Sequence, residues 1–204
     1  QISRRVGIVS FFTVISRIAG FVRDAVLAYT FGASRVADAF YVAFRIPNLL
    51  RRLVGEGALT IAFVPVYTQY LHESRAKAKE VASVVFTYLS LLLTLIVVVG
   101  IVFAPWIVKI MAWGFSASPD KFELTVYLTR LLFPYLFCIS LVALAMGMLN
   151  SLKHFAAPAA APILLNLSMI FGALVLWHYF SIPVVGLALG VLLGGVLQLA
   201  LQIP

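Results

Sequence analysis

The chain has 204 residues, of which 63% are apolar and only 11% are charged. Soluble domains are nearer half apolar and about a quarter charged, so this composition excludes an ordinary soluble domain and indicates an integral membrane protein. A net charge of +8 would suggest nucleic-acid binding in a soluble protein. Here the cations lie within and between apolar runs, and we expect no nucleic-acid partner. The runs are also too long for β-barrel strands, which alternate over about ten residues.

Apolar runs divide the chain into six candidate spans, since one membrane helix takes about 20 residues. The predicted spans are about 6–30, 35–71 (broken), 81–110, 122–152, 156–180 and 183–204. We predict bends or breaks in the second span at Pro47, at the Gly55-Glu56-Gly57 cluster and at Pro65, because proline and glycine interrupt helices. Residues 72–80, HESRAKAKE, are predicted to form a polar loop.

The basic residues of the connections fall on one side of the predicted membrane. They lie before the first span, in residues 72–80 and at Lys153, whereas the opposite connections contain one lysine, Lys121. By the positive-inside rule the N-terminus is cytoplasmic. The chain begins at Gln1 and stops in an apolar run at Pro204, so we expect further residues at both ends.

The segment from Ser16 to Glu56 concentrates charge inside apolar sequence. A charge at the centre of a bilayer costs about 2.5 to 3.5 kcal/mol on insertion scales. Charged side chains in this segment must therefore face a wet cavity, one another or a bound anion. The 41 residues contain nine formal charges, and all six cations are arginines: Arg17, Arg23, Arg35, Arg45, Arg51 and Arg52, with the acids Asp24, Asp38 and Glu56.

This exclusive use of arginine indicates anion binding. A guanidinium group presents a planar fork of donors that matches phosphate and stays charged at any relevant pH. We therefore predict that Arg17, Arg23 and Arg51 bind an anionic substrate such as a diphosphate, and that Asn48 lines the same cavity. The remaining charges are predicted to hold these arginines in place or to exchange partners with the ligand during a conformational change: Asp24, Asp38, Glu56, Arg45 and Arg52.

The competing interpretation is a set of buried ion pairs that only fixes the register of the helices. The segment contains six arginines and three acids, so three arginines exceed the number of acidic partners within it. This surplus of cations favours ligand binding. Other polar residues inside the spans, Asn150, Asn166 and Ser168, are predicted to form hydrogen bonds between helices. The histidines lack a metal-ligand spacing, and no nucleophile has a plausible base, so we predict neither a metal site nor an enzyme.

Long stretches of the chain resemble the MurJ/MviN family of lipid II flippases. The most specific are SRIAGFVRDAVLAYTFGAS and VADAFYVAFRIPNLLRRLVGEGALTIAFVPVY, in the charged segment. The later stretches FAPWIVKIMAWGF, FPYLFCISLVALAMGMLNSLKHFAAPAAAPILLNLSMI and GGVLQLALQIP are also similar to that family. The resemblance extends over essentially the whole chain.

This resemblance implies the six-helix N-terminal lobe of a protein with the fold of multidrug and oligosaccharidyl-lipid exporters, which has about fourteen transmembrane helices when complete. It implies a location in the bacterial cytoplasmic (inner) membrane. The implied partner is lipid II, the undecaprenyl-diphosphate-linked peptidoglycan precursor, moved from the inner to the outer leaflet by alternating access. The family's cavity arginines match Arg17, Arg23 and Arg51, and its acidic partners match Asp24, Asp38 and Glu56.

The resemblance also implies a C-terminal lobe that completes the path and is absent from this chain. It implies no cofactor in this chain, with a sodium ion or the membrane potential as the driving force of the complete protein. Three alternatives stay open: an exporter of another polyprenyl-diphosphate-linked oligosaccharide, a membrane enzyme acting on such a lipid, and a non-transporting scaffold. An enzyme should show a base or an acidic metal-binding cluster, and a scaffold would not need surplus intramembrane cations.

Overall fold

The computed structural model describes residues 2–52 and 61–203, and within them every regular element is a helix. Two short 3-10 helices, Trp113–Ala117 and Leu176–Tyr179, precede α6 and α8 in this part of the chain. The α-helices are α1 (Ile2–Phe31), α2 (Arg35–Arg51), α3 (Val64–Glu73), α4 (Arg75–Val102), α5 (Ala104–Met111), α6 (Pro119–Ser151), α7 (Ala156–Leu174) and α8 (Val184–Gln202).

Four of the described helices, α4, α6, α7 and α8, are long and apolar enough to cross a membrane. The predicted all-α membrane fold is thereby confirmed. The two other predicted spans correspond to α1 and to α2 with α3, and the described part of the charged segment lies mainly on α1 and α2. At about 1.5 Å per residue, the 30 residues of α1 extend about 45 Å, which exceeds the thickness of about 30 Å of a bilayer's hydrocarbon core.

A tight turn joins α1 to α2. Gly32 has φ +58°, a left-handed conformation that glycine adopts at little cost, and its N–H donates to the carbonyl of Ala28 at 2.9 Å. Ser34 then caps α2, because its hydroxyl oxygen accepts from the N–H of Ala37 at 3.2 Å. These two residue types therefore end one helix and begin the next within three positions.

The predicted breaks in the second span differ in outcome. Pro47 lies inside α2 without ending it, and its ring is buried. Pro65 is in the first turn of α3, where the missing N–H has no intrahelical partner to lose. The Gly55-Glu56-Gly57 cluster lies outside the described residues.

The predicted polar loop over 72–80 is wrong, since helix α3 extends to Glu73 and α4 begins at Arg75. Ser74 alone separates them, and its hydroxyl oxygen caps α4 by accepting from the N–H of Ala76 at 3.2 Å. The following RAKAKE sequence consists of strong helix formers. Polarity indicated a loop, whereas the helix begins before the apolar part of the sequence.

The predicted span 81–110 contains a helix break, because α4 ends at Val102 and α5 begins at Ala104. Pro105 has no N–H to donate to the carbonyl of Ile101, four residues earlier. Arg130 of α6 supplies the missing donor, with its Nε 3.2 Å from that carbonyl oxygen. The break is therefore stabilised by a side chain from another helix.

Helix α6 lies at the centre of the packed part. It contacts α2, α4 and α8, and its buried residues Leu128, Leu132 and Tyr135 form one core cluster with residues of α2 and α8. Helix α7 packs against α8 on one side and α1 on the other. The two helices of the charged hairpin are thus held by different partners: α1 by α7, and α2 by α6.

Candidate functional site

A polar groove of about 640 Å³ lies along α2. Residues at positions 41, 45, 48 and 52 recur at helical spacing and share one face. We call this feature the α2 groove. Its lining residues are Tyr41, Phe44, Arg45, Asn48, Leu49, Arg51 and Arg52.

The opposite face of α2 explains why these polar groups point outward. Ala39, Ala43 and Ile46 recur on that face and are buried, with Ala39 and Ala43 completely so. Their small side chains let α2 pack closely on α6. A helix with one such face buried must present its arginines on the other.

Aromatic rings support the groove from below. The ring of Phe44 stacks on Phe40 with centroids 5.6 Å apart, and it lies 5.8 Å from the ring of Tyr135 on α6. Phe40 and Tyr135 are each only 1% exposed, so this base belongs to the packed core. Arg51 is half-buried and lies within electrostatic reach of Tyr135. The core side of the α2 groove is therefore formed by packed aromatic side chains, and arginines line its other sides.

Arg45 and Arg52 differ from Arg51 in their exposure. Both are exposed, and neither forms a hydrogen bond or ion pair with the part of the chain that the structure describes. Their guanidinium groups keep their donor capacity for a ligand. Because Asn48 lies between them along the same face, the groove offers amide and guanidinium donors together.

On α1, Arg23 is held by two neighbours. Its Nε and Nη2 donate to Oδ1 of Asp24 at 2.9 and 2.7 Å, and its Nη1 donates to Oδ1 of Asn166 at 2.8 Å. Asn166 lies on α7 and is 6% exposed, and its Nδ2 donates to the carbonyl of Ser16 at 3.2 Å. One amide therefore orients the Arg23 side chain and fastens α1 to α7.

The predicted hydrogen bond between helices at Asn166 is present, but its role toward Arg23 was not foreseen. The sequence separation of 143 positions between Arg23 and Asn166 gives no local pattern. A polar residue within an apolar span was the only available signal. It identified Asn166 as a hydrogen-bonding residue without identifying its partner.

Replacing Asn166 by alanine is expected to destabilise the protein by about 1–3 kcal/mol, because it removes the hydrogen bonds from Nη1 of Arg23 and to the carbonyl of Ser16. Thermal unfolding of the purified protein in detergent measures the effect. Asn150→Ala is the matched control, since the Asn150 side chain is exposed and forms no hydrogen bond among the described residues. Equal melting temperatures for the two variants would contradict this account of Asn166.

The acids of the charged segment do not all pair with arginines. Asp24 contacts Arg23, as a charge partner should, but Asp38 accepts a hydrogen bond from Nζ of Lys121 at 2.7 Å. Lys121 also lies 4.0 Å from the centre of the Phe115 ring. The structure thus pairs Asp38 with the one lysine of the 116–123 connection, near the α1–α2 turn. Glu56 lies outside the described residues.

The predicted substrate residues therefore fall into two groups. Arg51 and Asn48 lie in the α2 groove, together with the predicted charge partners Arg45 and Arg52. Arg17 and Arg23 lie on α1 and are not among the residues that line it. Arg17 is exposed and has no ion pair in the described ranges. Arg45 and Arg52 were predicted as charge partners. Because they line the α2 groove, they are also candidate ligand-binding residues.

In its described part, the chain is an all-helical membrane protein with an arginine-lined groove on one of its helices. The family model described as lipid II flippase MurJ matches residues 27–204. The chain belongs to this family.

The alignments with related proteins cover most of this chain. The lipid II flippase MurJ of Burkholderia cenocepacia is 45% identical over 96% of this chain. The probable lipid II flippase MurJ of Buchnera aphidicola subsp. Acyrthosiphon pisum is 42% identical over the same share. A solved structure of lipid II flippase MurJ in an inward closed conformation is 30% identical, covers 95% of this chain and superposes with a TM-score of 0.76.

The match covers only part of each of these proteins. The chain spans 38% and 39% of the two relatives and 41% of the solved structure. Family membership and the four apolar helices make the chain a multi-pass protein of the bacterial inner membrane.

Proposed function

We propose that this chain forms the first lobe of a flippase that moves lipid II from the inner to the outer leaflet of the membrane by alternating access. The observation that carries the proposal is the α2 groove, in which Arg45, Arg51 and Arg52 surround Asn48 in a chain of this family. The activity is transport, and we infer no catalytic role for these residues.

The chemistry of the groove suits the diphosphate of such a lipid. Guanidinium groups bind phosphate oxygens with paired, charge-assisted hydrogen bonds. A volume of about 640 Å³ lies within the range of about 300–1,000 Å³ typical of small-ligand sites. Phe44, Tyr41 and Leu49 add apolar surface beside the cations, as a headgroup joined to a hydrocarbon chain requires.

The attachment of the hairpin supports alternating access. Because α1 packs on α7 and α2 packs on α6, a relative movement of these helices changes the distance between the α1 arginines and the α2 groove. Arg17 and Arg23 would then join Arg51 around the diphosphate in one state and separate from it in another. Asp38 and Lys121, paired near the turn, can exchange partners during that movement.

The remaining parts of the proposal concern the complete protein. A second, C-terminal lobe supplies the opposite wall of the path, and the N-terminus of this lobe is cytoplasmic, as the basic connections favour. A sodium ion or the membrane potential drives the cycle. In the described residues no group of three or more His, Cys, Asp or Glu side chains could hold a metal ion.

The full-length transporter is expected to rescue bacteria depleted of their own lipid II flippase. Outward movement is measured by the fraction of lipid II that an externally added, membrane-impermeant lipid II-cleaving enzyme can reach. Rescue with a restored accessible fraction supports the proposal. Normal membrane insertion without rescue, with accumulation of lipid II at the inner leaflet, would contradict it in favour of another polyprenyl-diphosphate substrate.

A further inference from the structure

A second basic cavity, of about 390 Å³, lies between α3, the start of α4 and the end of α6. We call it the interfacial cavity. None of its lining residues belongs to the α2 groove. They are Tyr67, Leu71, Arg75, Lys79, Ala82, Met148, Leu152 and His154.

The interfacial cavity is polar on one side and apolar on the other. Arg75 and Lys79 are one helical turn apart in the polar first turns of α4, which contains no charged residue after Glu80. Leu71, Met148 and Leu152 form much of the remaining wall. This arrangement matches the junction between a charged headgroup and its acyl chains at the surface of a bilayer.

We propose that the interfacial cavity binds the phosphate headgroup of an anionic phospholipid from the adjacent leaflet. Arg75 provides the fork that holds two phosphate oxygens, and Lys79 provides a second positive charge. The apolar wall receives the first part of the acyl chains. The site does not depend on which substrate the protein transports.

The charges around the cavity favour an anion there. Lys77 is neutralised by Glu73, whose Oε2 lies 3.0 Å from its Nζ, and neither residue lines the cavity. Arg75 and Lys79 have no ion pair in the described part of the chain. Like charges at this helical spacing repel each other, and a phosphate between them would relieve that repulsion.

The walls of the cavity are fixed by packing between α3 and α6. The hydroxyl of Thr68 lies 3.2 Å from that of Ser151, and the ring of Tyr67, which is 6% exposed, stacks on Phe63 with centroids 5.3 Å apart. The cavity is therefore a built feature between packed helices. A flexible surface patch of lysines would lack this support.

The test is a titration of the full-length transporter, delipidated in detergent, with phosphatidylglycerol or phosphatidylcholine, followed by native mass spectrometry. Wild-type protein is expected to bind one phosphatidylglycerol about tenfold or more tightly than phosphatidylcholine. Arg75→Gln/Lys79→Gln is expected to remove most of this preference, because each lost charge-assisted bond to phosphate costs about tenfold or more in affinity. Lys77→Gln, which removes a charge from the same helical turn outside the cavity, should keep the preference within about twofold.

Three results would overturn the proposal. The first is equal affinity of wild type for the two lipids, and the second is an equal loss in Lys77→Gln and in the double variant. The third is displacement of the lipid by inorganic phosphate at equal concentration, which would make the cavity a site for soluble anions.

Wild-type protein also gives a test that does not require the double variant to fold. Phosphatidylglycerol with a photoreactive group next to its phosphate should crosslink to residues 67–82 and 148–154. Crosslinks found only elsewhere in the chain would refute the proposed site.

Discussion

Arg17→Ala, Arg23→Ala and Arg51→Ala are each expected to abolish rescue of flippase-depleted cells, although the variant proteins reach the membrane at wild-type level. A hydrogen bond to a charged group contributes about 1.5–3 kcal/mol, which corresponds to roughly 10- to 100-fold in affinity for each arginine. Arg51 lies in the α2 groove, and Arg23 is held in position by Asp24 and Asn166. Arg17 is exposed on the same helix as Arg23.

Arg35→Ala is the matched control for Arg51→Ala. Arg35 lies on the same helix but at its N-terminus, outside the α2 groove. A cation there opposes the helix dipole, so its removal should leave rescue intact. Arg51→Lys separates charge from geometry, since lysine keeps the charge but lacks the planar fork, and we expect rescue between that of wild type and alanine.

Rescue at wild-type level by all three alanine variants would refute the proposed role of the charged segment. The arginines would then serve only to fix helix packing. Loss of rescue in Arg35→Ala at normal expression would show instead that any charge change in the hairpin is harmful.

The sequence predicted the helical membrane fold well because apolar runs and their length determine it directly. It failed at residues 72–80, where polarity suggested a loop although Ser74 and the RAKAKE sequence form a helix start. It gave the span 81–110 without the helix break at Phe103, where Pro105 lacks an N–H for the Ile101 carbonyl and Arg130 donates to that carbonyl instead. In both places local helix chemistry, rather than hydropathy, decides the backbone.

The residue types that form the candidate site were predictable from the sequence. Which of these residues lie together in the structure was predictable only in part. The sequence predicted Arg51 and Asn48 in one cavity with Arg17 and Arg23, whereas the structure groups Arg51 and Asn48 with Arg45 and Arg52 in the α2 groove. The pairing of Asp38 with Lys121 was not predictable, since the two residues are 83 positions apart. Spacing along one helix reveals a shared face, whereas partners on other helices depend on the packing of the whole lobe.

The contact between α7 and α8 is expected to be the most sensitive packing feature of the fold. The two helices approach closely at glycines of both. A Cβ atom added at Gly190 would lie 2.5 Å from the carbonyl oxygen of Ser168 and 3.1 Å from Cα of Gly172. Both obstructing atoms belong to the backbone of α7, so no side-chain rotation can relieve the overlap. The two helices would have to separate.

Gly190→Leu is therefore expected to destabilise the protein by about 3 kcal/mol or more, at the upper end of overpacking costs. For a unit of about 200 residues, this lowers the melting temperature by roughly 6–12 °C. Thermal unfolding of the full-length protein in detergent measures the shift. Separation of α7 from α8 should also disturb Asn166, which lies on α7 and holds Arg23, so transport should fall together with stability.

Gly7→Leu provides the control for Gly190→Leu. Gly7 also lies within a helix, but a Cβ atom added there would meet nothing within 4 Å. Leucine has a higher helix propensity than glycine by roughly 0.8 kcal/mol, so this change should leave the melting temperature unchanged or slightly raised. If Gly190→Leu melts at the same temperature as Gly7→Leu, close approach of the α7 and α8 backbones is not what stabilises this part of the lobe.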